Sequence, residues 1–419
     1  AMRSNYKRIG DYVTQIKLKN TDDSISSLKG ININKHFMPS VANINGTDLS
    51  KYKVVKKNQL AFNPMHVGRD EVLPISMFED DEPIIVSPAY VVFEVKDEEE
   101  LLTTYLMMWC RRSEFDRNAW FMTDNSVRGG FSWADFCDME LPVPSIEKQR
   151  EIVREYNVVN DRISLNEQLT QKLEDTAQAI YKQWFVDFEF PLSKEYAQSI
   201  GKPELEGKPY KSSGGEMEFC EQLNQEIPES WEHMTLAKCT HYLSRGLAPK
   251  YTEENGCLVL NQKCIRNSSI NFELARRHDF TQKKTLDERY LELNDVVVNS
   301  TGRGTLGRVA VVKHLPEKTI VDTHVTILRP NNELIPNYFW FNICSREDEI
   351  ENLAEGSTGQ TELHKDYLEE LSILKPSDFV QREFDRLVKP ILRKLILIEK
   401  KTPKIFELKS ILLQRLSKV

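Results

Sequence analysis

One pattern occurs twice in this 419-residue chain, 232 positions apart. Steps of four and three from residue 152 land on Ile152, Tyr156, Val159, Ile163, Asn166, Thr170, Leu173, Ala177, Ile180 and Trp184. The same steps from residue 384 land on Phe384, Val388, Ile391, Leu395, Ile398, Thr402, Ile405, Lys409, Leu412 and Leu416. This is the heptad spacing that places an apolar stripe along one side of a long helix. Thr402 answers Thr170, and Gln149-Arg150-Glu151 returns as Gln381-Arg382-Glu383. A helix of about 40 residues is roughly 60 Å long. Alone it cannot bury such a stripe, and the chain supplies a second one. The expectation is that the two pair as an antiparallel coiled coil through Ile152, Tyr156, Val159, Ile163, Leu173, Ile180, Trp184, Phe384, Ile391, Leu395, Ile398, Ile405, Leu412 and Leu416. The competing reading is two unrelated helices, each packed on its own domain. Pro390 and Pro403 lack an N–H and crowd the preceding turn, so a kink or break is expected in the second helix.

The repetition continues upstream. "NQLAFNP" (58–64) resembles "NDVVVNS" (294–300), so Asn58 answers Asn294 and Asn63 answers Asn299. "VSPAYVVFEV" (86–95) resembles "VDTHVTILRP" (321–330), and "GGFSWADFCDMEL" resembles "GQTELHKDYLEEL", with Asp135-Phe136 matched to Asp366-Tyr367. The fold class is therefore α+β: two β-rich domains alternating with two long helices in a pseudo-two-fold internal repeat. The boundaries are 1–144 for the first domain, 145–190 for the central helix, 191–226 for a connector, 227–375 for the second domain and 376–419 for the C-terminal helix. The connector assignment rests on a stretch rich in Pro, Gly, Ser and charge.

Composition narrows the classes. Hydrophobic residues make up 40% and charged residues 29%, and no apolar run approaches the roughly 18 residues of a membrane helix. The first residues carry no hydrophobic signal core, so a cytoplasmic protein is expected. Seven cysteines without a C-x-x-C read as free thiols rather than a disulfide or zinc framework. A net charge of −8 argues against a wholly basic nucleic-acid coat and leaves room for local basic surfaces.

Catalytic signatures are missing. Gly302-Arg303-Gly304-Thr305-Leu306-Gly307 spells G-x-G-x-x-G, but a dinucleotide site needs a helix after the glycines. Here Arg308-Val309-Ala310-Val311-Val312 follows, a β-type run. Strand, glycine-rich loop and strand read as a hairpin. There is no P-loop, H-E-x-x-H or G-x-S-x-G, and the eight histidines have no metal-ligand spacing. His324, inside the strand-like "VDTHVTILRP", reads as a satisfied core or edge histidine and not as a base. Asn63-Pro64-Met65-His66 departs from the [N/D/S]-P-P-[Y/F] turn of amino-group DNA methyltransferases at its second proline and its aromatic, and reads as a strand-end turn. No catalytic residue, metal ligand or cofactor is assigned.

The loops are polar and basic instead. Candidate DNA-binding residues in the first domain are Lys35, His36, Arg69, Asn125 and Arg128, with Lys51, Lys53, Lys56 and Lys57 nearby in sequence. In the second they are Asn261, Gln262, Lys263, Arg266, Thr301, Arg303, Thr305, Arg308, Thr358, Gln360, Thr361, His364 and Lys365, beside Arg276-Arg277-His278. Arg and Lys suit guanine edges and phosphates, Asn and Gln suit adenine, and Ser and Thr suit phosphate oxygens. The bland alternative is a solvated surface, which explains any one residue better than it explains matching loops in both domains.

Taken with "ELPVPSIEKQREIV", "LNEQLTQKLEDTAQAIYKQWFVDFEFP" and "VVVNSTGRGTLGRVAVV", this alternation resembles the specificity (S) subunit of type I restriction–modification enzymes over essentially the whole chain. The resemblance implies that each β-rich domain is a target recognition domain reading one half of a bipartite double-stranded DNA site. It further implies that the helices act as spacer and as docking surface for two methyltransferase (M) subunits, which hold S-adenosylmethionine, and that restriction (R) subunits complete the complex. It implies a non-catalytic chain with no cofactor of its own and no membrane partner. The two prolines of the second helix depart from the regularity of the central one. Two other classes remain: a self-contained DNA methyltransferase, which would need a cofactor site, and a coiled-coil scaffold with protein-binding ends, which would show no salt-dependent DNA affinity.

Overall fold

Short, mostly apolar runs build the same four-stranded antiparallel sheet twice. The computed structural model describes residues 5–40, 46–65, 71–123, 130–283, 285–354 and 362–418. It divides into two compact units, Ala1–Asn166 with Lys401–Val419, and Glu167–Lys400. In the first unit, β1 (Val13–Ile16), β2 (Leu60–Phe62), β3 (Ile75–Met77) and β4 (Val91–Val95) lie in the order β1-β4-β2-β3. In the second, β5 (Thr240–Arg245), β6 (Val296–Asn299), β7 (Val309–Val311) and β8 (Val325–Pro330) lie in the order β5-β8-β6-β7. Leu60 pairs with Phe93 as Val296 pairs with Leu328. The middle strands are covered on both faces, with Leu60, Ala61, Phe62, Val296, Val297 and Val298 all fully buried. That is why these runs are continuously apolar instead of alternating.

The repeated asparagines have a conformational reason. Asn58 and Asn294 hold φ of 64° and 74°, a left-handed conformation that asparagine adopts more readily than most residues. Their N–H groups donate to Phe78 O at 2.8 Å and Val312 O at 3.0 Å. The next position carries a polar pair in both units. Gln59 donates to Glu94 at 2.9 Å, and Arg329 donates twice to buried Asp295 at 2.7 and 2.8 Å. One interaction has become ionic while its place between the two middle strands is kept.

A two-stranded ladder closes each unit and launches a long helix. Tyr6–Arg8 pairs with Glu140–Pro142 before the central helix Ile146–Phe185, and Glu232–Thr235 pairs with Ser372–Lys375 before the C-terminal helix Asp378–Arg415. In the first turns of these helices, Gln149 and Gln381 are essentially fully buried. Gln149 accepts from Leu102 N and donates to Glu100 O and Pro144 O. Gln381 accepts from Ile335 N and donates to Pro376 O. Leu102 and Ile335 each open a short helix, Thr103–Cys110 and Pro336–Cys344, so each glutamine satisfies a donor at a helix start, where backbone partners run out.

The heptad positions are buried or half-buried along both helices. In the first unit, Ile152, Val153 and Tyr156 share a core with Leu413 and Leu416, and the Lys409 ammonium lies 5.5 Å from the Tyr156 ring centroid. In the second, Tyr181, Trp184 and Phe185 pack with Phe384, Val388 and Leu395, and the Phe185 and Phe384 rings meet edge-on at 4.9 Å. Both helices thus enter both cores, contrary to the reading of two unrelated helices.

Three sequence expectations need correction. The C-terminal helix runs unbroken through Pro390 and Pro403; both prolines are exposed, where water can satisfy the carbonyl that loses its partner. The stretch 191–226 is folded onto the second unit. It contains the helix Lys194–Ser199 and most of a hairpin of Met217–Cys220 with Gln225–Pro228, which runs two residues past its end, and Phe190, Tyr210 and Trp231 stack through centroid distances of 4.5 and 5.0 Å. Finally, burial pairs Phe131 with Leu363 and Phe136 with Leu368, all fully buried, which shifts the Asp135-Phe136 match by one residue.

Gln149→Leu or Gln381→Leu leaves one amide and at least one carbonyl buried without a partner. Each substitution is expected to cost about 1–3 kcal/mol per orphaned group, measured by denaturant unfolding. Wild-type stability in both variants would remove the role assigned to these glutamines.

Candidate nucleic-acid interface

The glycine-rich loop is a hairpin. Val296 pairs with Val311 and Val298 with Val309 in antiparallel register, so no helix follows the glycines to cradle a pyrophosphate. Gly302, Gly304 and Gly307 have φ of 107°, 70° and 84°, values that disfavour any side chain. A Cβ on Gly307 would also sit 2.9 Å from Glu351 Cα. At the hairpin base, fully buried Asn299 donates to Gln262 O and Thr305 O, both at 3.0 Å. It thereby ties the hairpin to the turn that follows the strand Cys257–Leu260.

Further hydrogen bonds gather four chain segments at this strand end. Ser300 N donates to His324 O at 2.8 Å, and Leu363 N donates to Ser300 O at 2.9 Å. The Thr301 hydroxyl meets His324 Nδ1 at 2.5 Å, so the ring has a partner as expected, but it lies in an exposed turn before the strand Val325–Pro330 and not in the core or the strand. Arg245 pairs with Glu362 and donates to Leu363 O at 2.6 Å. The segments are 261–266, 300–308, 322–324 and 362–365. Asn261 uses its side chain to cap its own turn, accepting from Lys263 N at 2.9 Å. Gln262 approaches Gly302, and the Thr305 hydroxyl turns inward to Thr301 O at 3.4 Å. Arg308 donates to Gly304 O at 2.8 Å and stiffens the hairpin. His364 lies edge-on to Tyr367 with centroids 6.0 Å apart, and Lys365 pairs with Glu369 at 3.1 Å. Lys263, Arg266 and Arg303 are exposed, and no salt bridge engages them among the described residues. Of the nearby carboxylates, Glu362 is held by Arg245, while burial pushes the Asp322 carboxyl up as it accepts from His324 N.

The first unit repeats the junction. Phe131 N donates to Pro64 O at 3.0 Å, as Leu363 N does to Ser300 O, and Asn63 N donates to Pro74 O at 2.9 Å, as Asn299 N does to Arg308 O. Asn63 Oδ1 accepts from Met65 N at 3.0 Å, a strand-end turn. The candidates Arg69, Asn125, Arg128, Thr358, Gln360 and Thr361 lie outside the described residues.

Two first-unit candidates sit elsewhere. Lys35 is buried, 4% exposed, with a φ of 63°. Its ammonium pairs with Asp116 at 2.7 Å and donates to Cys110 O. It is a core ion pair and not a DNA contact, because Asp116, 81 residues on, claims its charge. His36 lines a groove with Met107, Arg111, Tyr156, Asn160 and Lys409. Burial first, then Arg111 and Lys409, push its pKa down and favour the neutral ring.

Lys17 and Lys19, which escaped the sequence reading, form a basic cluster with Lys53. Lys19 stands directly opposite Lys53 in an antiparallel bridge, and the Lys53 ammonium donates to Tyr90 O at 2.5 Å. Burial, then Lys17 and Lys19, lower the Lys53 pKa. Among the described residues no salt bridge to a carboxylate engages any of the three. Like charges directly opposite in a sheet are destabilising, so the arrangement favours an external anion. The signal was the Lys17-Leu18-Lys19 alternation, which alone is indistinguishable from a solvated strand edge. No cluster of His, Cys, Asp and Glu among the described residues is placed to hold a metal ion, and no described helix is long and apolar enough to cross a membrane.

Lys35→Met leaves Asp116 buried without its counter-charge, with both side chains of the native pair at most 13% exposed. A stability loss of about 3–5 kcal/mol is expected, read by chemical denaturation. An exposed nucleic-acid contact would lose none.

No family model matches the chain. It is 28% identical over 171 residues to the type I restriction enzyme HindI specificity subunit of Haemophilus influenzae, a match spanning 40% of this chain and 36% of that protein. It is 23% identical over 290 residues to the MjaIX specificity subunit of Methanocaldococcus jannaschii, spanning 67% and 60%. The matches therefore cover less than two thirds of either relative. The fold is shared nearly end to end with the S subunit of a type I restriction–modification system from M. genitalium, at a TM-score of 0.60, 14% identity, and coverage of 98% of this chain and 95% of that one. In sequence and in fold, the chain is similar to the specificity subunits of type I restriction–modification systems.

Proposed function

We propose that this chain is the non-catalytic DNA-recognition subunit of a cytoplasmic type I restriction–modification complex. The observation that carries the reading is the duplicated junction: one sheet order and one amide-to-carbonyl bond, Phe131 to Pro64 and Leu363 to Ser300, occur in both units. Two similar but non-identical reading ends suit a bipartite, asymmetric double-stranded target. Lys17, Lys19 and Lys53 supply phosphate contacts in the first unit. Lys263, Arg266 and Arg303 supply phosphate or base contacts in the second, beside Gln262, Thr301 and His364. Phosphate contacts position a protein on the duplex, and contacts to base edges specify sequence.

In this reading the two helices pair as an antiparallel coiled coil and set the spacing between half-sites. The central helix also exposes Val158, Leu165 and Leu169, the first two at 64% and 59%. These residues lie off the heptad seam and offer apolar surface for docking two methyltransferase subunits. Those subunits supply S-adenosylmethionine, and restriction subunits join them.

The test is DNA affinity of the chain assembled with its methyltransferase partner, over a randomised duplex library and at several salt concentrations. Replacing Lys17, Lys19 and Lys53 together by Gln is expected to weaken binding across sequences and to lower the salt slope by roughly 0.9 per lost phosphate contact. Arg303→Ala is expected to cost about 1–3 kcal/mol at one position of the second half-site if it meets a guanine edge. If it meets phosphate, uniform weakening follows instead. An assembled complex without salt-dependent DNA affinity would sink the reading.

Separately, Ile163→Asp places a charge in the half-buried seam. It is expected to abolish assembly with the methyltransferase subunits, scored by size-exclusion chromatography. Normal assembly would argue against the paired helices.

A further inference from the structure

Three consecutive residues on one strand of the second unit, Arg276, Arg277 and His278, have sharply different surroundings. The Arg277 guanidinium forks onto Glu317 at 2.6 and 3.1 Å and donates to Gly256 O at 2.8 Å. His278 is fully buried, its ring accepting from Lys250 N at 3.0 Å and facing Lys283 O at 3.0 Å. Both are committed to the fold. Arg276 is exposed, and no salt bridge engages it among the described residues. Its guanidinium carbon lies 3.4 Å from the centroid of the Tyr251 ring.

Strand register sets where this pair emerges. Arg276 pairs with Val259, and Leu260 pairs in parallel with Val321. The next residues are Asn261-Gln262-Lys263 on one strand and Asp322 through His324 on the other, which are two of the four segments of the junction. Arg276 therefore leaves its strand at the reading end. Tyr251, opposite His278, is its diagonal cross-strand neighbour, within reach of an aromatic and a long side chain.

An arginine in solution samples many rotamers, whereas one stacked on an aromatic face has lost that freedom before any ligand arrives. One N–H faces the Tyr251 hydroxyl, and the remaining edge of the fixed planar fork suits two parallel acceptors. A phosphate can be followed by a swinging side chain. A guanine edge, O6 beside N7, rewards a donor that cannot swing to suit another base. Resting on the DNA-reading function above, we propose that Arg276 is a bidentate reader of one guanine in the second half-site, with Tyr251 as its positioning residue.

The experiment compares base preferences of the wild-type complex with its methyltransferase partner against those of variants, using a randomised duplex library read by sequencing. Arg276→Ala and Tyr251→Ala should each flatten the guanine preference at the same single position, by roughly tenfold, and the double variant should do no more than either alone. Arg276→Lys should fail to restore it, and Tyr251→Phe, which keeps the ring, should retain it. Preferences in the first half-site serve as the internal control for folding. If Tyr251→Ala leaves the preference intact while Arg276→Ala removes it, the positioning role is overturned. If Arg276→Ala weakens all sequences equally, or changes nothing, the guanine contact is overturned while DNA reading by the other loops stands. If the wild-type complex has no sequence preference, the recognition function falls and the proposal falls with it.

Discussion

A 40-residue helix with one apolar stripe must find a second surface to cover it, and this requirement organises the chain. In each unit the cover comes from a helix segment remote in sequence. Leu413 and Leu416 complete the core around Tyr156, and Phe384 completes the core around Tyr181 and Phe185. The core of the first unit is therefore completed by the segment 401–419. The buried glutamines Gln149 and Gln381 bind each helix start to the short helix beside it. An apolar residue there would leave polar backbone groups in a dry site, so a polar side chain is required by the fold at both positions.

The internal repeat gives one architecture two different sets of exposed side chains. The backbone bonds that shape the strand ends are held in common, down to the left-handed asparagines at 58 and 294. The side chains grafted on that frame differ. The first unit presents lysines without carboxylate partners, and the second a stiffened arginine hairpin. Even inside the sheet, a Gln59–Glu94 amide-to-carboxylate hydrogen bond in one unit is an Asp295–Arg329 ion pair in the other. A rigid frame with variable tips is a general way to change binding without refolding.

What could be read directly from the residues had a short period or a fixed offset. The heptad seam, the paired asparagines and the hairpin around Gly302 are patterns of that kind, because helices and strands repeat on scales of a few residues. What could not be read depended on partners far along the chain. Lys35 looks like a loop cation until Asp116 folds against it. Pro390 and Pro403 look like breaks until they prove to lie on the exposed side of a helix held by its packing. The stretch 191–226 has a linker's composition, yet Tyr210 and the flanking Phe190 and Trp231 anchor it by stacking. Lys17 and Lys19 gain meaning only once Lys53 stands opposite, and Arg276 only once Tyr251 lies beneath it.

The central claim is that each unit reads its own stretch of one DNA target. Sequencing the methylated sites of a host that expresses this chain with its methyltransferase partner tests it most directly. The account predicts a single asymmetric motif: two specified segments separated by a fixed run of unspecified bases. A continuous or palindromic motif, or methylation without sequence preference, would contradict it.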